Sequence, residues 1–130
     1  MTLKTILIID DSEAEQYLYQ ATINSLIEDV EILSAYDGVE GLELLASLSK
    51  KPDCILVDIN MPRMNGLQFL EEYSKIYKDE SIMITMMTSS IHPADKEKAL
   101  QHKCVKDFFI KPLGTADIEQ LIQYAEETKT

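Results

Sequence analysis

Five short runs of aliphatic and β-branched residues recur along the chain: Lys4 to Ile9, Val30 to Ala35, Asp53 to Val57, Ser81 to Met87 and Asp107 to Ile110. Four of them lack a clean alternation of apolar and polar positions. Continuous apolar runs are what strands covered on both faces of a parallel sheet carry. Between them the apolar positions take helical spacing, at Ala14, Leu18 and Ala21, then Val39, Leu42, Leu45 and Ala46, then Leu67, Leu70 and Tyr73. Ala94 to Gln101 and the set Ile118, Leu121, Ile122 and Ala125 complete the series. Ser12 with Glu15 has the spacing of a capping box, Gly114 or Thr115 opens the last helix, and Lys51-Pro52 closes the second. Five strands alternating with five helices predict an α/β fold: an open, doubly wound, five-stranded parallel sheet with right-handed crossovers and helices on both faces.

Length and charge narrow the picture. At 130 residues the chain is expected to be one domain, 1–130, with no output domain. Twenty-three acidic against 12 basic residues leave a net charge of −11, which argues against nucleic acid and anionic membrane as ligands and favours proteins or cations. The apolar runs are far shorter than a membrane-spanning helix, and no signal-peptide pattern opens the chain, so a cytoplasmic location is expected. Cys54 and Cys104 show no C-x-x-C pairing and read as reduced structural thiols.

In a sheet of this kind the ligand site lies outside the carboxyl ends of the strands, where strand order reverses. The predicted strand ends carry Asp10-Asp11, Asp58, Thr88-Ser89 and Lys111-Pro112. Singly, each has a plain explanation as a cap or turn former. Together, three acids on one rim repel one another, and a hard cation such as Mg²⁺, which takes carboxylates, carbonyls, waters and phosphate oxygens, removes that repulsion. The Lys111 ammonium suits a phosphoryl oxygen, and Thr88 offers a hydroxyl donor.

The runs Ile6-Leu7-Ile8-Ile9-Asp10-Asp11-Ser12, Asp58-Ile59-Asn60-Met61-Pro62-Arg63-Met64-Asn65-Gly66, Thr88-Ser89-Ser90 and Phe108-Phe109-Ile110-Lys111-Pro112 closely resemble the response regulator receiver domain of two-component signalling. The resemblance implies the strand order 2-1-3-4-5 of the flavodoxin-like fold. It implies Asp58 as phosphoacceptor, charged by a sensor histidine kinase or a histidine phosphotransfer protein, in a domain that is no enzyme beyond Mg²⁺-dependent self-catalysed phosphotransfer and autodephosphorylation. Asp10, Asp11, Asp58 and the backbone carbonyl of Asn60 would hold Mg²⁺. Lys111 would bind the phosphoryl group through a cis peptide to Pro112, and Thr88 and Phe108 would form the switch. Departures are small: Asp10-Asp11 stands where Glu-Asp is common and Phe108 where Tyr is frequent, while Ser90 leaves the rate of phosphate loss undetermined. The output expected is phosphorylation-dependent binding of another protein through the fourth helix, fifth strand and fifth helix, with room for a phosphorylation-dependent homodimer.

The alternatives fare worse. A haloacid dehalogenase-type hydrolase needs a second acid two residues after the nucleophile, where Asn60 stands. An EF-hand beginning at Asp58 would have Arg63 in place of its glycine and Phe69 in place of its glutamate. A dinucleotide site needs a Gly-rich first loop, which the Asp10-Asp11-Ser12-Glu13 turn opposes in charge. A pseudo-receiver, which binds proteins without phosphorylation, usually lacks an acid, the acceptor or the lysine, and here all are present. His92 and His102 read as surface residues, and Met61, Met83, Met86 and Met87 as packing.

Overall fold

In the computed structural model, which describes residues 3–78, 82–89 and 92–127, the apolar runs form β1 (Thr5–Ile9), β2 (Glu31–Ala35), β3 (Cys54–Asp58), β4 (Met83–Thr88) and β5 (Val105–Ile110). Helices α1 (Glu13–Leu26), α2 (Gly38–Ser47), α3 (Gly66–Ile76), α4 (Pro93–Leu100) and α5 (Thr115–Glu127) alternate with them. All strands are parallel, in the order β2-β1-β3-β4-β5. The predicted start of the fourth strand at Ser81, and Ser90, lie outside the described residues.

Both faces of the central strands are apolar because both are covered. Leu7 and Ile9 of β1 join Ile55, Val57, Met86 and Phe108 beneath Leu45 of α2, Phe69, Leu70 and Tyr73 of α3, and Ala99 of α4. Their neighbours Ile6 and Ile8 join Cys54, Leu56, Met87 and Phe109 beneath Tyr19 and Ile23 of α1 and Ile118 and Leu121 of α5. Period-two alternation is present in these strands, but it separates two apolar layers instead of an inside from an outside.

Four local expectations are corrected. The face of α1 that carries Ala14, Leu18 and Ala21 is exposed, and the helix instead buries Gln16, Tyr19 and Ile23. The two N–H groups of the Gln16 side-chain amide are shared among the carbonyls of Ile8 (3.0 Å), Asp10 (3.1 Å) and Ala35 (3.0 Å), so a polar residue seats the helix on the ends of β1 and β2. Ser12 does cap α1, accepting from Glu15 N at 3.2 Å, yet the reciprocal half of the box is missing because Ser12 N donates to Asp10 Oδ1 and the Glu15 carboxylate is engaged elsewhere. The complete capping box is at Asn65 and Gln68, at the start of α3.

Helix α2 ends at Ser47, before Lys51-Pro52, and the Lys51 ammonium folds back onto the carbonyls of Leu45 and Leu48, where a cation meets the negative helix end. Strand β5 begins two residues earlier than its apolar run, because Lys106 occupies a bulge between the Ile84–Val105 and Thr85–Asp107 pairs. As an edge strand, β5 can leave Lys106 exposed, and its ammonium stands 4.9 Å from the Tyr124 ring centroid.

Candidate functional site

Strand order reverses between β1 and β3, so the chain departs from their carboxyl ends in opposite directions and leaves a crevice there. Asp10 follows β1 and is fully buried, Asp58 ends β3 and is almost fully buried, and Asp11 is exposed at the rim. One carboxylate oxygen from each lies within 4.8 Å of the others. Thr88, buried, ends β4 beside them, and its carbonyl accepts from Lys111 N at 2.8 Å. The Lys111–Pro112 peptide is cis. The Lys111 ammonium lies 3.1 Å from Asp58 Oδ1, 3.0 Å from Asp10 Oδ2 and 2.5 Å from Glu15 Oε2. Asp10, Asp11, Asp58, Thr88 and Lys111 are therefore gathered at one place, while Phe108 lies behind them in the core next to Met86. Asn60 sits on the loop leaving β3, with its N–H 3.3 Å from Asp58 Oδ1.

Local sequence explains how the loop after β3 is held. Ile59 N donates to Met87 O and Gly66 N to Ile59 O, closing the loop over the end of the strand. At Arg63 the backbone turns through φ 60°, and its guanidinium forks onto the buried Asp37 carboxylate, Nε to Oδ2 at 2.7 Å and Nη2 to Oδ1 at 3.1 Å. Asp37 also caps α2, accepting from Glu40 N at 2.9 Å, so the loop that carries Asn60 is tied to α2.

Charge in the crevice is unevenly compensated. Burial, reinforced by Glu15, pushes the Asp10 carboxyl up to about 7. Burial also raises Asp58, against the pull of Lys111. Burial opposes the Lys111 charge, but hydrogen bonds to Glu15 and Asp10 more than restore it and hold the ammonium above its ordinary value. Asp10 Oδ2 is buried, with the Lys111 ammonium 3.0 Å away as its ion-pair neighbour. A buried carboxylate, with two further carboxylates at hand, is a donor set of hard oxygens that fits a divalent cation such as Mg²⁺.

Sequence reasoning missed Glu15 as a member of the site, and Gln16 and the Arg63–Asp37 pair as its supports. Glu15 carried a signal: a carboxylate in the first turn of the helix that leaves Asp10 and Asp11. His92 is exposed, and His102 Nδ1 lies 2.9 Å from Ser74 Oγ, remote from the crevice. Cys54 is buried, which pushes its thiol up to about 12, and both cysteines are free thiols. Clefts of about 450 and 550 Å³ open at the amino ends of the strands, lined by residues such as Tyr77 and His102 or Leu26 and Ile122, and neither gathers the acids.

A doubly wound sheet with three aspartates, a hydroxyl and a lysine gathered at its switch point defines an α/β domain with an acidic site fit for a divalent cation. Residues 6–123 match the defining pattern of the response regulator receiver domain, and the chain belongs to that family. The sensor histidine kinase CheAY of Helicobacter pylori is 33% identical over 107 residues, covering 82% of this chain and 13% of the kinase. A two-component response regulator from Cytophaga hutchinsonii superposes with a TM-score of 0.85 at 25% identity, covering 98% of this chain and 99% of that one. The Mn²⁺-bound form of response regulator Rcp1 superposes at 0.75, also at 25% identity, covering 95% and 92%. The chain spans 13% of the CheAY kinase and about a third of the length of curated relatives such as the protein-glutamate methylesterase of Methanospirillum hungatei, at 33%. Among the described residues, no helix is long and apolar enough to cross a membrane.

Proposed function

We propose that this receiver domain accepts a phosphoryl group on Asp58 from a histidine kinase or a histidine phosphotransfer protein and signals by phosphorylation-dependent protein binding. The observation that carries the reading is the buried Asp58 carboxylate with a lysine ammonium 3.1 Å away and two further aspartates within reach of a shared ion. An Asp58 oxygen attacks phosphorus in line, the bond from phosphorus to the donor's imidazole nitrogen breaks, and the imidazole leaves with the electron pair. Asp10, Asp11, Asp58 and the Asn60 carbonyl would hold Mg²⁺, whose chemistry there would be charge neutralisation, and the Mn²⁺-bound form of the similar response regulator Rcp1 supports this reading. Lys111 balances the rest, and Thr88 donates a hydrogen bond to a phosphoryl oxygen. Little covalent work falls to the protein, so positioning and electrostatics suffice without a kinase active site. We place the exchange in the cytoplasm, in keeping with two unpaired thiols.

The test is direct. Incubation with acetyl phosphate and Mg²⁺ is expected to raise the intact mass by one phosphoryl group, and Asp58→Asn or full chelation to abolish the rise. Labelling of Asp58→Asn at the wild-type level would overturn the reading. Unlabelled wild type would leave the pseudo-receiver in its place.

Output is assigned to the face built by α4, β5 and α5. Phe108 packs in the layer that contains Ala99 of α4, so movement of Thr88 toward a phosphoryl group vacates space that an aromatic ring in that layer can enter. Packed cores choose between discrete arrangements, and a small displacement at the site becomes a change of surface. Thr88→Ala and Phe108→Ala are expected to leave Asp58 labelling largely intact while curtailing amide NMR shifts in Ala94–Leu100 and Phe108–Leu113 on beryllofluoride binding. Wild-type shifts confined to the neighbours of Asp58 would contradict this route.

A further inference from the structure

Lys111 is the one cation among the crevice residues, and three carboxylates crowd it. They do not share it equally. Glu15 takes a directed hydrogen bond of 2.5 Å from the ammonium, whereas Asp58 and Asp10 stand beside it as ion-pair neighbours at 3.1 and 3.0 Å. The lysine is therefore aimed at the first turn of α1. The phosphoacceptor, which would need it on phosphorylation, is the more distant partner. A phosphoryl group arriving on Asp58 brings three acceptor oxygens and nearly two negative charges to the same ammonium. One existing partner must then yield.

Exposure decides which. The Asp10 and Asp58 side chains are 0% and 4% exposed and cannot recover water, whereas Glu15 is 35% exposed on a surface helix and rehydrates as it lets go. Resting on the Asp58 reading, we propose that Glu15 is a positioning residue that competes with the phosphoryl group for Lys111 and sets how readily the domain accepts an anion. Its second effect has the opposite sign. With Asp11 at the rim beside Asp10 and Asp58, the crevice sets four carboxylates against the single ammonium, three of them in contact with it. Deleting the Glu15 charge makes the crevice more hospitable to an anion and less hospitable to a cation, and the released Lys111 moves in on Asp10 and Asp58 where a cation would sit.

That split tests the idea on the whole chain, by amide NMR titration first with Mg²⁺ alone and then with beryllofluoride at saturating Mg²⁺. Glu15→Gln keeps the shape and removes the charge, while Glu15→Asp keeps the charge on a stem one methylene shorter. For a partly exposed pair a change of roughly five- to tenfold is expected: tighter beryllofluoride binding and weaker Mg²⁺ binding in Glu15→Gln. Glu15→Asp is expected to tighten beryllofluoride binding, since it releases the lysine, while keeping Mg²⁺ affinity closer to wild type. A purely structural role for Glu15 would weaken both ligands together or leave both unchanged, and either result overturns the proposal. Failure of the wild type to bind beryllofluoride overturns the Asp58 reading itself.

Discussion

Gly66→Ala is expected to destabilise the fold by about 3 kcal/mol, at the upper end of the usual cost of overpacking, and to impair divalent-cation binding with it. Gly66 opens α3 directly against the end of β3, and its N–H donates to Ile59 O at 2.9 Å. A Cβ there would lie 2.4 Å from the Asp58 carbonyl oxygen and 2.9 Å from Ile59 Cα. Both obstacles are backbone, held by the β3–β4 ladder and by the Ile59 N to Met87 O bond, so neither can rotate aside. Relief requires α3 or the end of β3 to move, and the end of β3 carries Asp58. For a domain of this size the cost corresponds to a melting point lower by roughly 10 °C or more. Gly114→Ala is the matched control: nothing lies within 4 Å of its would-be Cβ, so a change within about 0.5 kcal/mol is expected. Thermal melts followed by circular dichroism, with and without Mg²⁺, check both. A Gly66→Ala melting point within 2 °C or so of wild type would show that the loop yields where this geometry says it cannot.

Without metal, the crevice should weaken the fold as pH rises. The Asp10 carboxyl titrates near 7 in the folded protein against about 3.9 in an unfolded chain. Between those values the native state holds the extra proton, so this contribution falls as pH climbs through the window and levels off above 7. Three pH units bound it at about 4 kcal/mol, and the raised Asp58 acts in the same direction. Glu15 offsets part: although burial opposes it, bonds with Asp10 and Lys111 hold its carboxyl low, a contribution present above the unfolded value and lost on acidification.

Asp10→Asn removes the penalty and keeps an acceptor for Ser12 N, and Lys111 retains Asp58 and Glu15. In chelator at pH 8 it is expected to melt above wild type, with the gap closing toward pH 5. Saturating Mg²⁺ is expected to stabilise wild type by about 2.7 kcal/mol at a hundredfold excess over Kd, and Asp10→Asn far less. A wild-type melting point indifferent both to pH from 5 to 8 without metal and to Mg²⁺ would remove the strained acidic pocket from this account.

The legible parts of this protein were those written in short-range pattern. The apolar runs announce strands buried on both faces because β-branched and aliphatic side chains are what two covering layers of helices require. The rim acids, Thr88 and Lys111 were legible because parallel topology puts every strand's carboxyl end on one edge, so position in sequence becomes position in space. Element boundaries were less so: the Lys106 bulge and the Lys51 back-cap depend on what an edge strand and a helix end meet in three dimensions.

What the sequence by itself determined is the alternation of strands and helices, the parallel sheet they imply, and the identity of the groups at its carboxyl edge. Only the tertiary structure decided how those groups are partnered. Hydrophobic periodicity pointed α1 toward its Ala14–Leu18–Ala21 face, yet the helix turns Gln16 inward, where its side-chain amide nitrogen lies within hydrogen-bond reach of the carbonyls of Ile8, Asp10 and Ala35. That rotation brings Glu15 to Lys111 across 96 positions of sequence. No local pattern encodes the meeting, since it depends on where a helix from one end of the chain and a loop near the other converge above a buried charge.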